Sequence, residues 1–484
     1  MFIRNTAVLA GGNILAQVIS IALIPVITRI YSTEQFGEFS MLAAIAMILI
    51  PISSLRYNAA ILLPEKKADS KALLYLSIAV NLTLVAILFF LIWVFNAQIS
   101  ALLGLGDTGL LYFIPLIVLF GGWQLIIEAW ALRGKAFVAI SVASVGATSS
   151  DRLMGIVSGM FSIGTIGLLL GRTSGLLINV FLTVGGVLKR YTQEKNKESI
   201  KINVNDIFRI SRIYNKFALY SWAAMIQQMA RQAPIFLIGI FYSPVTAGLY
   251  ALCFRVLAEP VQILGAALGR SFAQRAAEDK RNNKDLSVIT FKLFKYLLML
   301  IVVPMIILAI IATDVFGVVF GEQWEESGRY VQFVVPVFIL TFMLRSLGSL
   351  FDVLRKQKDQ FVFGISMLVA SVGSFMLGGI GFSVEEVLLV YSVSMTIVIG
   401  SRIFWFLRMV NVETKLIIKM ITSVLFSAVI YSLPVYYTTQ IFSENGLAVL
   451  LVSTLLVIVY YLHCIYKDEF LRKSVSDLLH LSNK

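Results

Sequence analysis

The chain has 484 residues, of which 58% are hydrophobic and only 14% are charged, whereas about a quarter of the residues in a soluble domain are charged. A mean hydropathy of +0.87 and repeated apolar runs long enough to cross the hydrocarbon core exclude a water-soluble globular fold. The net charge of +13 does not indicate nucleic-acid binding, because the basic residues form short clusters between apolar runs. The composition therefore predicts an all-α integral membrane protein.

Apolar runs separated by polar breaks predict about fourteen transmembrane helices. In chain order they cover residues 6–28, 38–63, 72–95, 108–130, 136–161, 165–188, 217–241, 246–269, 291–312, 328–351, 360–381, 385–407, 416–437 and 445–466. The fifth has the weakest apolar signal, because Asp151 and Arg152 lie near its centre. Prolines inside spans predict kinks, and they occur in both halves of the chain at Pro25, Pro51, Pro234 and Pro260.

The distribution of Lys and Arg orients the predicted helices. Most of the 40 basic residues fall at the termini or at alternate breaks, while only Arg29 and Arg329 lie at or beside the remaining breaks. Because cytoplasmic loops carry the excess of Lys and Arg, both termini are predicted to be cytoplasmic. We expect a multi-pass protein of a bacterial-type cytoplasmic (inner) membrane.

An internal repeat accompanies this alternation. A shift of 211 residues places Tyr31-Ser32 over Tyr242-Ser243 and Gly37 over Gly248 without a gap. Two six-helix lobes running in the same direction are therefore predicted, and repeats of this kind hold their substrate between the halves. The predicted organisation is an N-terminal lobe, a cytoplasmic linker with an amphipathic helix from Val204 to Tyr214, a C-terminal lobe, and two further helices with a tail, at residues 1–188, 189–216, 217–407 and 408–484.

Beyond the first five residues of each predicted span, the basic residues are seven arginines and no lysine, and they are Arg56, Arg152, Arg172, Arg231, Arg255, Arg345 and Arg402. A charge at mid-membrane costs about 2.5–3.5 kcal/mol, so such residues face a polar cavity or a partner. Arginine also fits phosphate oxygens bidentately.

We expect substrate contacts from Arg56, Arg152, Arg172, Arg231, Arg255 and Arg345. Arg402 and Arg345 lie near helix ends, where each could instead extend to the interface. Glu259 is four residues from Arg255 and could neutralise it, and Asp151 could serve another arginine. Glu259 and Asp151 are also the candidates for ion coupling. A net positive cavity selects an anion over a cation, and no metal or cofactor site is predicted.

Two stretches, residues 29–39 (RIYSTEQFGEF) and 55–64 (LRYNAAILLP), carry a family resemblance. They resemble the N-terminal signature of the polysaccharide and O-antigen flippases of the multidrug/oligosaccharidyl-lipid/polysaccharide exporter superfamily. The resemblance implies non-enzymatic export of an undecaprenyl-diphosphate-linked oligosaccharide, an O-antigen, capsule or exopolysaccharide unit, by alternating access. It also implies that basic residues, with Arg56 best supported, hold the diphosphate, and that the partners are membrane lipids and other polysaccharide assembly proteins.

Three alternatives stay open. A peptidoglycan lipid-precursor flippase would be expected to show a more strongly basic cavity. A multidrug or organic-cation antiporter of the same superfamily needs buried carboxylates, whereas arginines outnumber acids in these spans. A membrane glycan ligase or polymerase needs a sizeable outer loop for its acceptor, which the predicted topology lacks, and no phosphate-binding loop for ATP is present.

Overall fold

The structure is a computed structural model that describes residues 2–193, 202–282, 284–348, 357–441, 446–469 and 471–472. Residues 194–201 of the predicted linker and residues 473–484 of the predicted tail lie outside the described residues. Within these ranges the chain is helical and contains no β-strand. Its α-helices are α1 (Phe2–Ile30), α2 (Thr33–Leu49), α3 (Tyr57–Ala60), α4 (Lys67–Leu103), α5 (Phe113–Arg133), α6 (Phe137–Met160), α7 (Thr165–Gln193), α8 (Val204–Ile213), α9 (Lys216–Phe241), α10 (Pro244–Arg281), α11 (Leu286–Phe320), α12 (Glu325–Leu347), α13 (Gln357–Met376), α14 (Val384–Met409), α15 (Thr414–Ile441) and α16 (Gly446–Lys467).

All helices except α3 and α8 are long, and they correspond in order to the predicted spans. In the described part of the chain, twelve helices are long and apolar enough to cross a membrane. The two long helices outside this set are α6 and α9, which contain polar groups such as Asp151 and Arg231. The all-α membrane fold is confirmed, and the count of fourteen spans stays a prediction.

The second predicted span is not one continuous helix, and this part of the prediction is wrong. Residues 38–63 were expected to be helical throughout, but α2 ends at Leu49 and a single 3₁₀ turn, Ile50–Ile52, follows. After a turn the chain forms only the short α3. The cause is Pro51, which has no amide hydrogen and whose ring clashes with the preceding helical turn.

The helices form two compact units, and the first comprises Met1–Ala251 and Gly364–Val387. In it α6 packs along α1 and α7, α5 packs against α4 and α7, and α2 packs against α5 and α9. A Cβ atom on Gly171 would lie 2.5 Å from the Asp151 carbonyl oxygen, and one on Gly175 would lie 2.7 Å from that of Ala147. Glycines thus allow the backbones of α6 and α7 to approach closely, as is typical of membrane helices.

The two copies of the repeated motif perform equivalent structural roles. Ser32 caps α2 by accepting a hydrogen bond from the Gln35 amide at 3.2 Å, and Ser243 accepts one from the Thr246 amide at 3.1 Å at the start of α10. Gln35 and Thr246 are themselves separated by the 211-residue shift. Equivalent residues therefore form equivalent helix caps.

The repeat-related glycines contact each other. A Cβ atom on Gly37 would lie 1.7 Å from the Pro244 carbonyl oxygen, and one on Gly248 would lie 2.1 Å from the Thr33 carbonyl oxygen. Each glycine thus meets the carbonyl four residues before the other. Such reciprocal contact is the pattern of a self-complementary, two-fold-related interface.

The second unit comprises Leu252–Phe363 and Leu388–Lys484, and α11 packs there against α12, α15 and α16. Pro304 interrupts α11 and leaves the Leu300 carbonyl without its helical donor. Tyr461 of α16 donates to that carbonyl at 2.8 Å, and the adjacent Tyr460 donates to the Met299 carbonyl, also at 2.8 Å. The last helix therefore satisfies the backbone at a proline kink, as membrane proteins require.

The amphipathic helix predicted in the linker is present as α8, with Asn203 as its capping residue. Ile210 is buried in a cluster with side chains of α3, α4 and α5. Arg209 pairs with Asp69 at the start of α4, and Phe208 is exposed. The described part of the linker is therefore held against the first unit by both apolar and ionic contacts.

Candidate functional site

The candidate site begins at the interruption of α2. Beyond the 3₁₀ turn that contains Pro51, Leu55 and Arg56 adopt left-handed backbone conformations with φ angles of 46° and 55°. A non-glycine residue in this region costs about 1–2 kcal/mol. Such strain persists only where the surrounding structure holds it, and it clusters at functional sites.

Buried polar side chains and a close helix contact hold the interrupted segment. Ser53 and Ser54 are buried, and Ser54 Oγ donates to Asn58 Oδ1 at 3.0 Å. A Cβ atom on Gly122 of α5 would lie 2.6 Å from Ser53 Oγ and 2.2 Å from the amide nitrogen of Asn81 in α4. A glycine at this position therefore lets α5 approach both α4 and the interruption.

The far end of α3 is held by a cation. Arg133 Nη1 donates to the carbonyls of Ile61 at 3.3 Å and Leu62 at 3.4 Å, and its Nη2 donates to the Glu65 carbonyl at 3.4 Å. These carbonyls lie where a helix end leaves acceptors without donors. The strained segment is thus fixed at both ends.

Arg56 is half-buried and occupies the residue before the first turn of α3. Among the described residues no carboxylate forms an ion pair with its guanidinium. A guanidinium keeps its charge when dehydrated, and its planar fork matches two phosphate oxygens. Arg56 is therefore an unneutralised cation at a discontinuous helix, the kind of element with which transporters bind charged groups.

Arg231 lies on α9, which packs against both the 3₁₀ turn and α3. Its side chain is exposed, and its Nε and Nη2 both donate to Gln228 Oε1, the first at 2.8 Å. Gln228 Nε2 in turn donates to the Met47 carbonyl of α2 at 3.3 Å. The structure thus connects two of the predicted site elements, Arg231 and the α2 interruption that carries Arg56.

Two other predicted site residues are held in contacts between helices. Arg152 is buried and donates through Nη2 to Ser20 Oγ of α1 at 2.6 Å. Asp151 faces the other way and lies 3.6 Å from Arg172 Nη1 of α7. The expectation that Asp151 serves an arginine other than its neighbour is confirmed, and the adjacent pair links α6 to α1 and α7.

The predicted site residues of the second unit have different surroundings. Arg255 Nε lies 3.1 Å from Glu259 Oε1, as the four-residue spacing indicated. Arg345 is exposed, and Gly265 packs against its Cβ atom. The Arg402 guanidinium stacks on the Trp405 ring, 4.3 Å from its centroid, and also lies over Phe363 and Phe406. These ring contacts favour a structural role for Arg402.

Sequence reasoning missed Gln228, although one signal pointed towards it. A proline inside a helix leaves the carbonyl four residues earlier without a donor, and for Pro51 that residue is Met47. The sequence therefore predicts that some neighbouring donor satisfies the Met47 carbonyl, without naming it.

In the part of the chain that the structure describes, no group of three or more His, Cys, Asp or Glu residues could hold a metal ion.

Comparisons with known proteins bear on the family. The sequence profile of the family described as "Polysaccharide biosynthesis protein" matches residues 26–329. No curated protein sequence matches the chain.

Solved structures bear on the fold. The lipid II flippase MurJ, in an inward closed conformation, aligns with a TM-score of 0.73 and 12% identity over 94% of this chain and 97% of MurJ. An inward-facing multidrug resistance MATE family transporter of the MOP superfamily aligns with a TM-score of 0.54 and 10% identity over 83% of this chain and 94% of its own. At these identities the likeness establishes the fold alone. The chain therefore belongs to the polysaccharide biosynthesis protein family, and it has the fold shared by flippases and transporters of the multidrug/oligosaccharidyl-lipid/polysaccharide exporter superfamily, as the sequence resemblance predicted.

Proposed function

We propose that this protein flips an undecaprenyl-diphosphate-linked oligosaccharide from the cytoplasmic to the outer leaflet of a bacterial-type inner membrane. The oligosaccharide is an O-antigen, capsule or exopolysaccharide unit, and the protein moves it without chemical change. The observation that carries the proposal is the unpaired Arg56 on a strained, discontinuous helix, because this arrangement suits a dehydrated diphosphate. The family match to polysaccharide biosynthesis proteins supports the sugar-bearing substrate.

Arg56 and Arg231 form the proposed headgroup site. Both lie in the first unit, on elements that pack together, and Arg56 forms no ion pair with a carboxylate in the described part of the chain. Arg172 and Arg255 rank below them, because each already lies beside a carboxylate. Arg345 stays a secondary candidate because it is exposed.

The transport step follows from charge. The diphosphate enters from the inner leaflet, and a conformational change then exposes the site to the outer side while the lipid tail stays in the bilayer. An inside-negative potential favours outward movement of an anion by about 2.3 kcal/mol per charge per 100 mV. Glu259 and Asp151 are the proposed residues for additional ion coupling, since protonation of either would release its arginine partner.

A peptidoglycan lipid precursor is the second candidate substrate. The fold similarity to the lipid II flippase MurJ favours it, and its diphosphate would bind the same arginines. The sugar distinguishes the two substrates, so the assay must present both.

The decisive experiment is reconstitution of the purified protein in vesicles containing a lipid-linked oligosaccharide or lipid II on one leaflet. We expect the oligosaccharide to become accessible on the opposite leaflet and Arg56→Ala and Arg231→Ala to abolish the movement. Arg402→Gln is the matched control, because it removes an arginine that is stacked on aromatic rings. Equal rates in both alanine variants and in the wild type would refute the headgroup site, whereas movement of lipid II alone would reassign the substrate.

A further inference from the structure

The interruption of α2 leaves the Met47 carbonyl without its helical hydrogen-bond donor. In a regular helix the amide of residue 51 would donate to the carbonyl of residue 47, but Pro51 has no amide hydrogen. The backbone amide of Ile50 cannot replace it, because it already donates to the Ala46 carbonyl. A main-chain carbonyl without a donor is costly inside a membrane, so a neighbouring element must supply one.

Gln228 of α9 supplies that donor, and the same amide holds Arg231. Its Nε2 lies 3.3 Å from the Met47 carbonyl oxygen, and its Oε1 accepts from Arg231 Nε at 2.8 Å and also from Nη2. The two partners fix the amide orientation, because a guanidinium can only donate and a carbonyl can only accept. One amide therefore connects the α2 interruption to a cation of the headgroup site.

We propose that Gln228 is a positioning residue that presents Arg231 to the diphosphate, with the Met47 carbonyl as its anchor. This inference rests on the proposed function. Gln228 Oε1 accepts from Nε and Nη2 on one edge of the guanidinium, and the planar group has further N–H donors with which to bind phosphate oxygens. The diphosphate binds at the other edge of the guanidinium while Gln228 Oε1 stays bonded, so the anchored amide holds Arg231 in the orientation that the headgroup meets.

The sequence offers a test through the proline itself. Pro51→Ala restores an amide hydrogen for Met47, which removes the anchor of Gln228 without altering the glutamine. Gln228→Leu removes the amide without altering the proline. If the amide positions Arg231 only while it is anchored, each change weakens diphosphate binding and the double change weakens it no further.

The experiment measures the affinity of the purified full-length protein in detergent for farnesyl diphosphate, a soluble prenyl diphosphate. We expect Gln228→Leu and Pro51→Ala each to weaken binding about tenfold, as for loss of a hydrogen bond to a charged group, and the double variant to match the single ones. Gln227→Leu is the control, because Gln227 is an exposed neighbour with no hydrogen bond to a described residue. The unfolding temperature of each variant is recorded in parallel.

The outcomes separate this inference from the proposed function. Additive losses in the double variant would show that Gln228 acts without the anchor, and would overturn the proposal. If Gln228→Leu lowers the unfolding temperature but leaves the affinity unchanged, Gln228 only satisfies the Met47 carbonyl, and the proposal is overturned as well. If Arg56→Ala and Arg231→Ala also leave farnesyl diphosphate binding unchanged, the proposed headgroup site itself fails.

Discussion

The contact between Gly37 and Gly248 leaves no room for a methyl group. A Cβ atom on Gly37 would lie 1.7 Å from the Pro244 carbonyl oxygen, half the 3.4 Å at which ordinary contact begins, and one on Gly248 would lie 2.1 Å from the Thr33 carbonyl oxygen. The obstructing atoms are backbone atoms, which cannot rotate away. Gly37→Ala must therefore push α2 and the start of α10 apart by more than 1 Å, roughly the scale on which overpacking costs 1–3 kcal/mol.

Thermal unfolding of the purified protein in detergent tests this reasoning. We expect Gly37→Ala and Gly248→Ala to lower the unfolding temperature. Gly185→Ala in α7 is the matched control, because no atom lies within 4 Å of its added Cβ, and alanine there should raise helix stability by about 0.8–1 kcal/mol. Replacement of glycine by alanine should therefore lower the unfolding temperature at position 37 and raise it at position 185.

The double variant provides a second test of the same geometry. One separation of the two helices relieves both contacts, so the combined loss should be clearly smaller than the sum of the single losses. Additive losses, or an unfolding temperature of Gly37→Ala equal to that of Gly185→Ala, would show that the two glycines do not meet as described.

Three further predictions concern strain and hydrogen bonding. Arg56→Gly should raise the free energy of unfolding by about 1 kcal/mol, because glycine adopts the left-handed conformation freely, while vesicle assays show loss of translocation; a less stable variant would contradict the strain. Tyr461→Phe should destabilise the protein by about 1–3 kcal/mol by leaving a carbonyl of α11 unsatisfied, and Pro304→Ala should remove that cost in thermal unfolding; an equal cost in both backgrounds would contradict this. Arg152→Met should lower the unfolding temperature, because Ser20 loses a buried charged partner, and an unchanged temperature would show that the contact contributes nothing.

Much of the fold and part of the site could be predicted from local patterns. Apolar runs located the long helices, and the amphipathic spacing located α8. The four-residue separation of Arg255 and Glu259 predicted their pairing, because such residues share one face of a helix. These features depend on residues close together in the chain, so the sequence alone specifies them.

Other features could not be predicted from the sequence, because they depend on how the helices pack. Pro51 predicted a kink, but the left-handed conformations of Leu55 and Arg56 depend on packing by α4 and α5. The charges near the centre of α6 identified Asp151 as a residue in need of a partner, and only the packing of α7 identified Arg172. The donor for Met47 was likewise unspecified until α9 placed Gln228 beside it.

The sequence by itself determined that this chain is a helical membrane protein, where its helices lie, and that arginines occur within them. The tertiary structure decided which arginines pair with a carboxylate and which side chains donate hydrogen bonds to the free carbonyls. It also decided that Gly37 and Gly248 are in contact. The physical reason is that lipid and neighbouring helices are equally apolar, so hydropathy locates a helix without fixing its rotation. The partners of its polar groups depend on that rotation, which packing alone sets.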